Sequence, residues 1–445
     1  MSKPLQISIL LFFILQMIVA ASFGLAHDEA YYWLYSRHLD WGYFDHPPMV
    51  AWTIKLFSFL PHTEWALRLG FVVQQIIALI VILKMLPRKF HQQGFLLFLA
   101  FPLASFSGFL ALPDMPLLFM TAIYCYFLQK YLEEESSFSI LGLALSIPLL
   151  LYAKYHGILL IFFTIVALPR LLQRKSFYLI TLLSILLFLP HVWWQYSHDF
   201  STLRYHFLER PTSSFSLKRI LDYLVVQLLL AGLLVGPVVW WSVLKLKTQT
   251  DFERAMKCIS VGVVVFFLVS TLSKKFEANW TIFLSIPLIY LASPSALFER
   301  LIIRRLLLVS AGIVLLARII LTLSPTTISV KRLSEFHDWK EWSQVVVQDA
   351  CEERKVVANS YQIASKLSYY LKQEVPALNY HSRKNQFDYW RFDQRFSEEQ
   401  VCYLTDKQGF SGPQFLTPEG KTLRLVFGFT ARELWALKDE QTTQH

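Results

Sequence analysis

The chain has 445 residues, of which 55% are hydrophobic and only 17% are charged. Soluble proteins average about 45–50% apolar and about 25% charged residues, so this composition excludes an ordinary soluble protein of this length. The formal net charge is +10, and residues 1–330 carry all of it, with 26 basic and 16 acidic residues. Because these basic residues lie between apolar segments, they indicate membrane topology and not a nucleic-acid partner.

Eleven segments are apolar enough to be predicted as membrane-spanning helices. The first is apolar over residues 5–26, longer than a signal-peptide core and without a clear cleavage motif, so we expect it to be retained. The segments are 5–25, 66–86, 95–112, 115–132, 138–153, 157–170, 177–195, 223–244, 258–273, 279–293 and 305–324. Several are short, which leaves room for as many as thirteen spans. Residues 1–324 are therefore predicted to form an α-helical polytopic membrane domain.

Basic residues fall on every second connection between these segments. They are Lys3, Arg88, Lys89, Lys130, Arg170, Arg174, Lys175, Lys245, Lys247, Arg254, Lys257, Arg300, Arg304 and Arg305. Since cytoplasmic loops carry an excess of Lys and Arg, the N-terminus is predicted to lie on the cytoplasmic side of the membrane and the C-terminus on the outer side. The opposite connections, including a large first outside loop at 27–65, hold most of the remaining acids and histidines.

The tail, residues 325–445, has an ordinary polar composition and is predicted to form a small extracytoplasmic α/β domain of roughly 110 residues. Apolar periodicity predicts two helices and three strands, at 338–350 and 361–372, and at 355–359, 401–405 and 421–429. Cys351 and Cys402 lie in this tail. They form either a disulfide, if the tail is extracytoplasmic, or two free thiols.

The first outside loop begins with an acidic pair, Asp28 and Glu29, at the lip of the first span. A run of aromatic residues follows, and then Asp45-His46-Pro47-Pro48. An interfacial aromatic belt explains the aromatic residues. It does not explain adjacent carboxylates at a membrane surface, where desolvation is costly. Because a partly desolvated carboxylate has a raised pKa, Asp28 is a candidate general base.

Asp114 lies in a tight turn between two predicted spans on the same face as Asp28. It is either a turn or capping residue or a second catalytic carboxylate. Cations recur on this face, either as snorkelling side chains or as partners for a phosphate leaving group. The candidates for binding substrate or phosphate are Glu29, His46, Arg68, Lys154, Arg210, Lys274 and Glu277. Asp45 and His206 are candidate ligands for a divalent metal, although no spacing motif marks such a site.

Several segments taken together resemble one family. They are DEAYYW with GYFDHPPMVAW, ALPDMPLLF, LYAKYHGIL and SKKFEANW, and, in the tail, NSYQIASKLSYYL and SRKNQFDYW. In this order they are similar to the C-type glycosyltransferases that depend on polyprenyl-phosphate sugars. That family includes the protein O-mannosyltransferases and the bacterial aminoarabinose and galacturonic acid transferases of lipid A. The resemblance runs from Asp28 to about Trp390.

The resemblance implies roles for individual residues. Asp28 matches the family's catalytic acidic residue, which deprotonates or orients the acceptor hydroxyl, and Asp114 matches the second acidic position. In aminoarabinose transferases, the motif corresponding to residues 45–48 has a Lys that meets the lipid phosphate. Here His46 replaces it, which gives more weight to the other cations, namely Lys154, Arg210 and Lys274.

The family also implies a reaction. A sugar would pass from a polyprenyl-phosphate donor to a hydroxyl or phosphate of an envelope acceptor, preferably lipid A or lipopolysaccharide, with inversion of the anomeric centre. Protein hydroxyls are the alternative acceptor, and a lipid flippase or transporter is the alternative of another class. Ionisable residues in mid-membrane helices would favour that second class, and apart from Arg318 the predicted spans hold almost none.

Overall fold

The computed structural model describes residues 1–204, 214–323, 334–346, 350–351, 354–390 and 398–442. The first 323 residues are almost entirely helical. Their helices are α1 (Lys3–Ser22), α2 (His27–Arg37), α3 (Met49–Leu56), α4 (Glu64–Met85), α5 (His91–Ala100), α6 (Pro102–Phe106), α7 (Asp114–Glu133), α8 (Ser137–Ala153), α9 (Ile158–Ala167), α10 (Lys175–Ser197), α11 (Ser201–Arg204), α12 (Leu217–Leu230), α13 (Gly236–Lys245), α14 (Asp251–Ser270), α15 (Ser285–Ala292) and α16 (Leu301–Leu323).

Four of these helices are long and apolar enough to cross a membrane. They are α1, α4, α10 and α16. A fifth span results if the helical segments Arg88–Ala100 and Pro102–Phe109, which meet at an angle of 88°, count as one broken span. The structure thus confirms a helical protein with at least four apolar spans, whereas the number eleven stays a prediction.

Two segments predicted as single spans are each broken in the structure. In the segment 95–112 the chain bends between α5 and α6, where Pro102 has no N–H to continue the helix ladder. In the segment 223–244 the break lies between α12 and α13. There Gly232 has a φ of 118°, which only glycine adopts readily. At both places one predicted span consists of two shorter helices, because hydropathy reports apolar length and not helix continuity.

The tail contains a four-stranded sheet. Its elements are α17 (Trp339–Val345), β1 (Lys355–Ala358), α18 (Tyr361–Leu371), α19 (Phe387–Trp390), β2 (Gln400–Thr405), β3 (Gln414–Leu416), β4 (Thr422–Thr430) and α20 (Ala431–Thr442). The strand order is β1-β2-β4-β3, with β1 parallel to β2 and the other pairs antiparallel. The three predicted strands and the helix at α18 are confirmed. The helix predicted at 338–350 is confirmed over α17, and residues 347–349 lie outside the described residues.

A disulfide joins Cys351 to Cys402. Cys351 lies shortly after α17 and Cys402 lies in β2, so the bond ties the start of the tail to the centre of its sheet. Of the two alternatives that the sequence left open, the structure shows the disulfide.

The tail packs on the predicted first outside loop, with α18 against α2. Lys366 on α18 is fully buried and donates hydrogen bonds to the carbonyl oxygens of Leu25 and of Glu335. The Leu25 N–H donates in turn to the Tyr370 hydroxyl, at 3.1 Å. These contacts hold the chain immediately before α2. The predicted boundary between residues 324 and 325 borders chain outside the described residues and stays a prediction.

Candidate active site

Asp28 is the second residue of α2 and is half-buried. The hydroxyl of Tyr361, on α18, lies 3.4 Å from its Oδ1 and donates toward it. Burial, together with the nearby carboxylates of Glu335 and Asp45, raises the pKa of Asp28 to about 6. A carboxylate with this pKa is ionised near neutral pH and still basic enough to take a proton from a hydroxyl as that hydroxyl reacts.

Glu29 and Arg68 form a fully buried ion pair directly beside Asp28. Arg68 donates through Nε at 2.8 Å and through one terminal nitrogen at 2.6 Å to the two oxygens of Glu29. Its other N–H groups donate to the carbonyl oxygens of Ala20, Phe23 and Gly24. All five guanidinium donors are therefore used within the protein.

Glu29 also accepts hydrogen bonds from two backbone N–H groups. Its Oε2 accepts from the N–H of Ala26, which caps the start of α2, and its Oε1 accepts from the N–H of Ala111, each at 2.8 Å. Ala111 comes three residues before Asp114. The hydrogen bond from Ala111 to Glu29 therefore holds the turn that carries Asp114 close to the start of α2. The geometry of Glu29 and Arg68 thus supports a structural role and does not support the predicted contact with substrate.

Asp114 is the first residue of α7 and is buried. Lys154, which follows α8 and is also buried, donates to Asp114 Oδ1 at 2.8 Å. The side-chain amide of Asn279 donates to Oδ2 at 3.0 Å. Three separate parts of the chain therefore meet at one carboxylate, and the structure brings together two residues that the sequence had nominated separately.

Asp45 lies close to Asp28 and has different partners. The hydroxyls of Tyr31 and Tyr35 donate to its Oδ2, at 2.9 and 3.4 Å, and Arg383 of the tail donates to its Oδ1 at 2.7 Å. Burial raises the pKa of Asp45, and the Arg383 guanidinium opposes that shift. The side chain of Arg383 is 44% exposed, so this guanidinium both pairs with Asp45 and contacts solvent.

The remaining candidates are distributed differently. His46 follows Asp45 and packs edge-on against the ring of Tyr32, at 5.7 Å between ring centroids. Lys274 is half-buried and Glu277 is exposed, both in the segment before α15. His206 and Arg210 lie outside the described residues.

A metal site at Asp45 finds little support in its surroundings. Among the residues that the structure describes, no group of three His, Cys, Asp or Glu side chains could hold a metal ion. Asp45 instead hydrogen-bonds to two tyrosines and pairs with Arg383. The involvement of His206 stays a prediction.

Besides the two tyrosines at Asp45, which the sequence offered only as part of an aromatic run, sequence reasoning missed three residues that contact the candidate carboxylates. Asn279 lies in SKKFEANW, Tyr361 in NSYQIASKLSYYL and Arg383 in SRKNQFDYW. All three segments carry the family resemblance. That resemblance concerns whole motifs, and it assigns no role to these three side chains. The two tail motifs reach the site because α18 packs on α2.

Known proteins resemble this chain in sequence and in fold. The family profile described as dolichyl-phosphate-mannose-protein mannosyltransferase matches residues 45–194. The lipid A galacturonosyltransferase RgtD of Rhizobium johnstonii is 26% identical over 326 residues, which cover 67% of this chain and 68% of that protein.

Two solved structures of ArnT from Cupriavidus metallidurans share the fold. The structure bound to undecaprenyl phosphate has a TM-score of 0.69 at 13% identity, covering 96% of this chain and 98% of that one. The apo structure has a TM-score of 0.70 at 12% identity, covering 97% and 99%. The fold similarity therefore extends over the spans and the tail alike. These matches agree with the resemblance that the motifs carry, which is to the C-type glycosyltransferases related to protein mannosyltransferases and lipid A transferases.

Proposed function

We propose that this protein transfers a sugar from a polyprenyl-phosphate donor to an acceptor in the bacterial envelope, with lipid A or lipopolysaccharide preferred. The observation that carries the proposal is the surroundings of Asp28, a half-buried carboxylate whose pKa is raised to about 6 beside a second carboxylate, Asp45. The relatives support the substrates. RgtD acts on lipid A by its name, and one ArnT structure holds undecaprenyl phosphate.

The proposed reaction is a single displacement. Asp28 takes the proton of the acceptor hydroxyl while the hydroxyl oxygen attacks the anomeric carbon of the donor sugar. The bond from that carbon to the phosphate oxygen breaks, and the polyprenyl phosphate leaves with the electron pair. Attack opposite the leaving group inverts the anomeric centre through a transition state that resembles an oxocarbenium ion.

The leaving phosphate needs positive charge nearby. Three described cations could supply it, namely Arg383 at Asp45, Lys154 at Asp114 and the half-buried Lys274. In this proposal Lys154 acts on the phosphate from its ion pair, and Asp114 holds it in position. A divalent metal is compatible with the reaction but is not required by it, because these cations supply the same kind of stabilisation.

We further propose that the site lies on the periplasmic face of the inner membrane, with the N-terminus in the cytoplasm. The alternation of basic connections supports this orientation. The disulfide between Cys351 and Cys402 supports it independently, because disulfides persist in oxidising compartments such as the periplasm.

The experiment is mass spectrometry of envelope lipids and envelope proteins from a deletion strain complemented with wild type or with Asp28→Asn. We expect a lipid A species heavier by one sugar with wild type, and its loss with Asp28→Asn at an unchanged level of membrane protein. Asp222→Asn is the matched control, because Asp222 is an exposed acid paired with Lys218 far along the chain from Asp28.

Two other outcomes separate the alternatives. A sugar found on proteins and not on lipids would favour a protein O-glycosyltransferase, which the description of the matching family profile also suggests. Movement of a lipid across the membrane without any transfer of sugar would favour a flippase. Wild-type levels of product with Asp28→Asn would remove Asp28 from the catalytic role.

A further inference from the structure

A cavity lies at the C-terminal end of α2, between this helix, α3 and the start of α4. Its volume is about 110 Å³, enough for several water molecules, since one needs only about 10–15 Å³ of such space. Trp33, Phe57 and Tyr369 provide aromatic walls, and Ser36 and Ser58 line it as well. Aromatic faces combined with hydroxyl groups suit a phosphorylated sugar better than an acyl chain.

The charges around this cavity are mainly positive. Arg37, the last residue of α2, and Lys55, near the end of α3, both line it and are exposed. Neither forms an ion pair with a residue that the structure describes. His62 also lines the cavity and donates from Nε2 to the carbonyl oxygen of Tyr369, at 2.9 Å. The charged groups near its ring are Arg37, Lys372 and one acid, Glu64.

Membrane topology does not account for these cations. Arg37 and Lys55 belong to the first outside loop, where the positive-inside rule predicts few basic residues. The tip of the same loop exposes Leu56 and Phe59, at 69% and 79%. Apolar side chains so exposed next to a cationic cavity are expected where a loop touches the headgroup region of a membrane.

We propose that this cavity binds a phosphate group carried by the headgroup of the acceptor glycolipid. The inference rests on the proposed function for the identity of the lipid, and on Arg37, Lys55 and the hydroxyl-bearing walls for the phosphate. Asp28 and Arg37 lie at opposite ends of α2, about 13 Å apart along the helix. Nine residues make two and a half helical turns, so the two side chains leave opposite faces of α2, and a headgroup with its phosphate at Arg37 has to pass around the helix to reach Asp28.

The test compares wild type with the double variant Arg37→Gln and Lys55→Gln, using the full chain in nanodiscs. Transfer is measured to lipid A and to the same lipid after its phosphates have been removed. We expect the KM for phosphorylated acceptor to rise about tenfold or more in the double variant, because a lost charge-assisted hydrogen bond is worth at least such a factor. The kcat, the KM for donor and the KM for dephosphorylated acceptor should not change.

Two further variants sharpen the test. Lys218→Gln removes an exposed cation of another predicted outside loop and should leave the KM for acceptor unchanged. Arg37→Lys with native Lys55 keeps both positive charges and should retain most of the affinity. An equal change for both acceptors, or no change in the double variant, would overturn the proposal.

Direct binding separates this inference from the proposed function. The full chain in nanodiscs is titrated with lipid A, with phosphatidylglycerol vesicles and with inorganic phosphate. If wild type binds lipid A more tightly than the other two ligands and the double variant loses this binding, the phosphate site is supported. This holds even if wild type transfers no sugar, a result that would refute only the proposed function. Equal binding of phosphatidylglycerol, or binding of inorganic phosphate alone, would overturn the assignment to the acceptor.

Discussion

The replacement Glu29→Gln distinguishes a structural residue from one that contacts substrate. Glu29 accepts four hydrogen bonds, two from Arg68 and two from backbone N–H groups. An amide offers one oxygen and one NH₂ group. In either orientation of the amide, its nitrogen would face one donor of Arg68 and one backbone donor, and Arg68 would remain buried without a counter-charge.

The magnitude follows from these contacts. Two hydrogen bonds to charged groups are lost, at about 1.5–3 kcal/mol each. Breaking a buried ion pair by removing one partner costs about 3–5 kcal/mol, which agrees with the sum of the two lost hydrogen bonds. We therefore expect the free energy of unfolding to fall by about 3–5 kcal/mol. The melting temperature should fall by about 3–5 °C, because an unfolding entropy of about 2.1 cal/mol/K per residue corresponds to roughly 1 °C per kcal/mol for a chain of 445 residues.

The assay is the temperature at which half of the detergent-solubilised protein loses its monodisperse elution peak. Glu133→Gln is the matched control, because Glu133 is half exposed and pairs with Lys130 at the surface; its effect should stay within about 1 kcal/mol. A Glu29→Gln protein that melts like wild type but has a raised KM for acceptor would refute the structural interpretation. It would restore the interpretation that Glu29 contacts substrate.

Other expectations concern the chemistry and the tail. Because burial raises the pKa of Asp28 to about 6 and a base must be ionised, kcat should fall about tenfold per pH unit below that pH; a flat profile down to pH 5 would contradict this. Tyr361→Phe removes a hydrogen bond to the ionised carboxylate of Asp28, which raises the pKa of Asp28 further. The fall of kcat at low pH should therefore begin at a higher pH. Lys154→Gln should lower kcat by about 10²-fold or more at saturating donor, as for the loss of one group that stabilises developing charge, and wild-type turnover would exclude its role. Replacing Cys351 and Cys402 by Ser opens a loop with a separation of 51 residues. This should destabilise the tail by about 4 kcal/mol, measured by proteolysis of the tail in nanodiscs, whereas equal resistance would refute it.

The sequence determined those features that depend on short stretches of chain. Hydropathy identified the four long helices, and alternation of apolar residues identified β1, β2, β4 and α18, because these patterns repeat within a few residues. The motifs carried the resemblance to the C-type glycosyltransferases, and they nominated Asp28 and Asp114 as the acids of the candidate site. The same local view could not detect the break near Gly232, since the residues around it are as apolar as a continuous span.

The tertiary structure decided which side chains meet. Tyr361 is 333 residues from Asp28, and Arg383 is 338 residues from Asp45. Contacts of such separation depend on the docking of the tail on the first outside loop, which no local periodicity encodes. Asp28 was identified by sequence as a candidate base at the membrane surface. The reason that its pKa is raised is its burial beneath the tail and its nearness to other carboxylates, and that is a property of the folded chain alone.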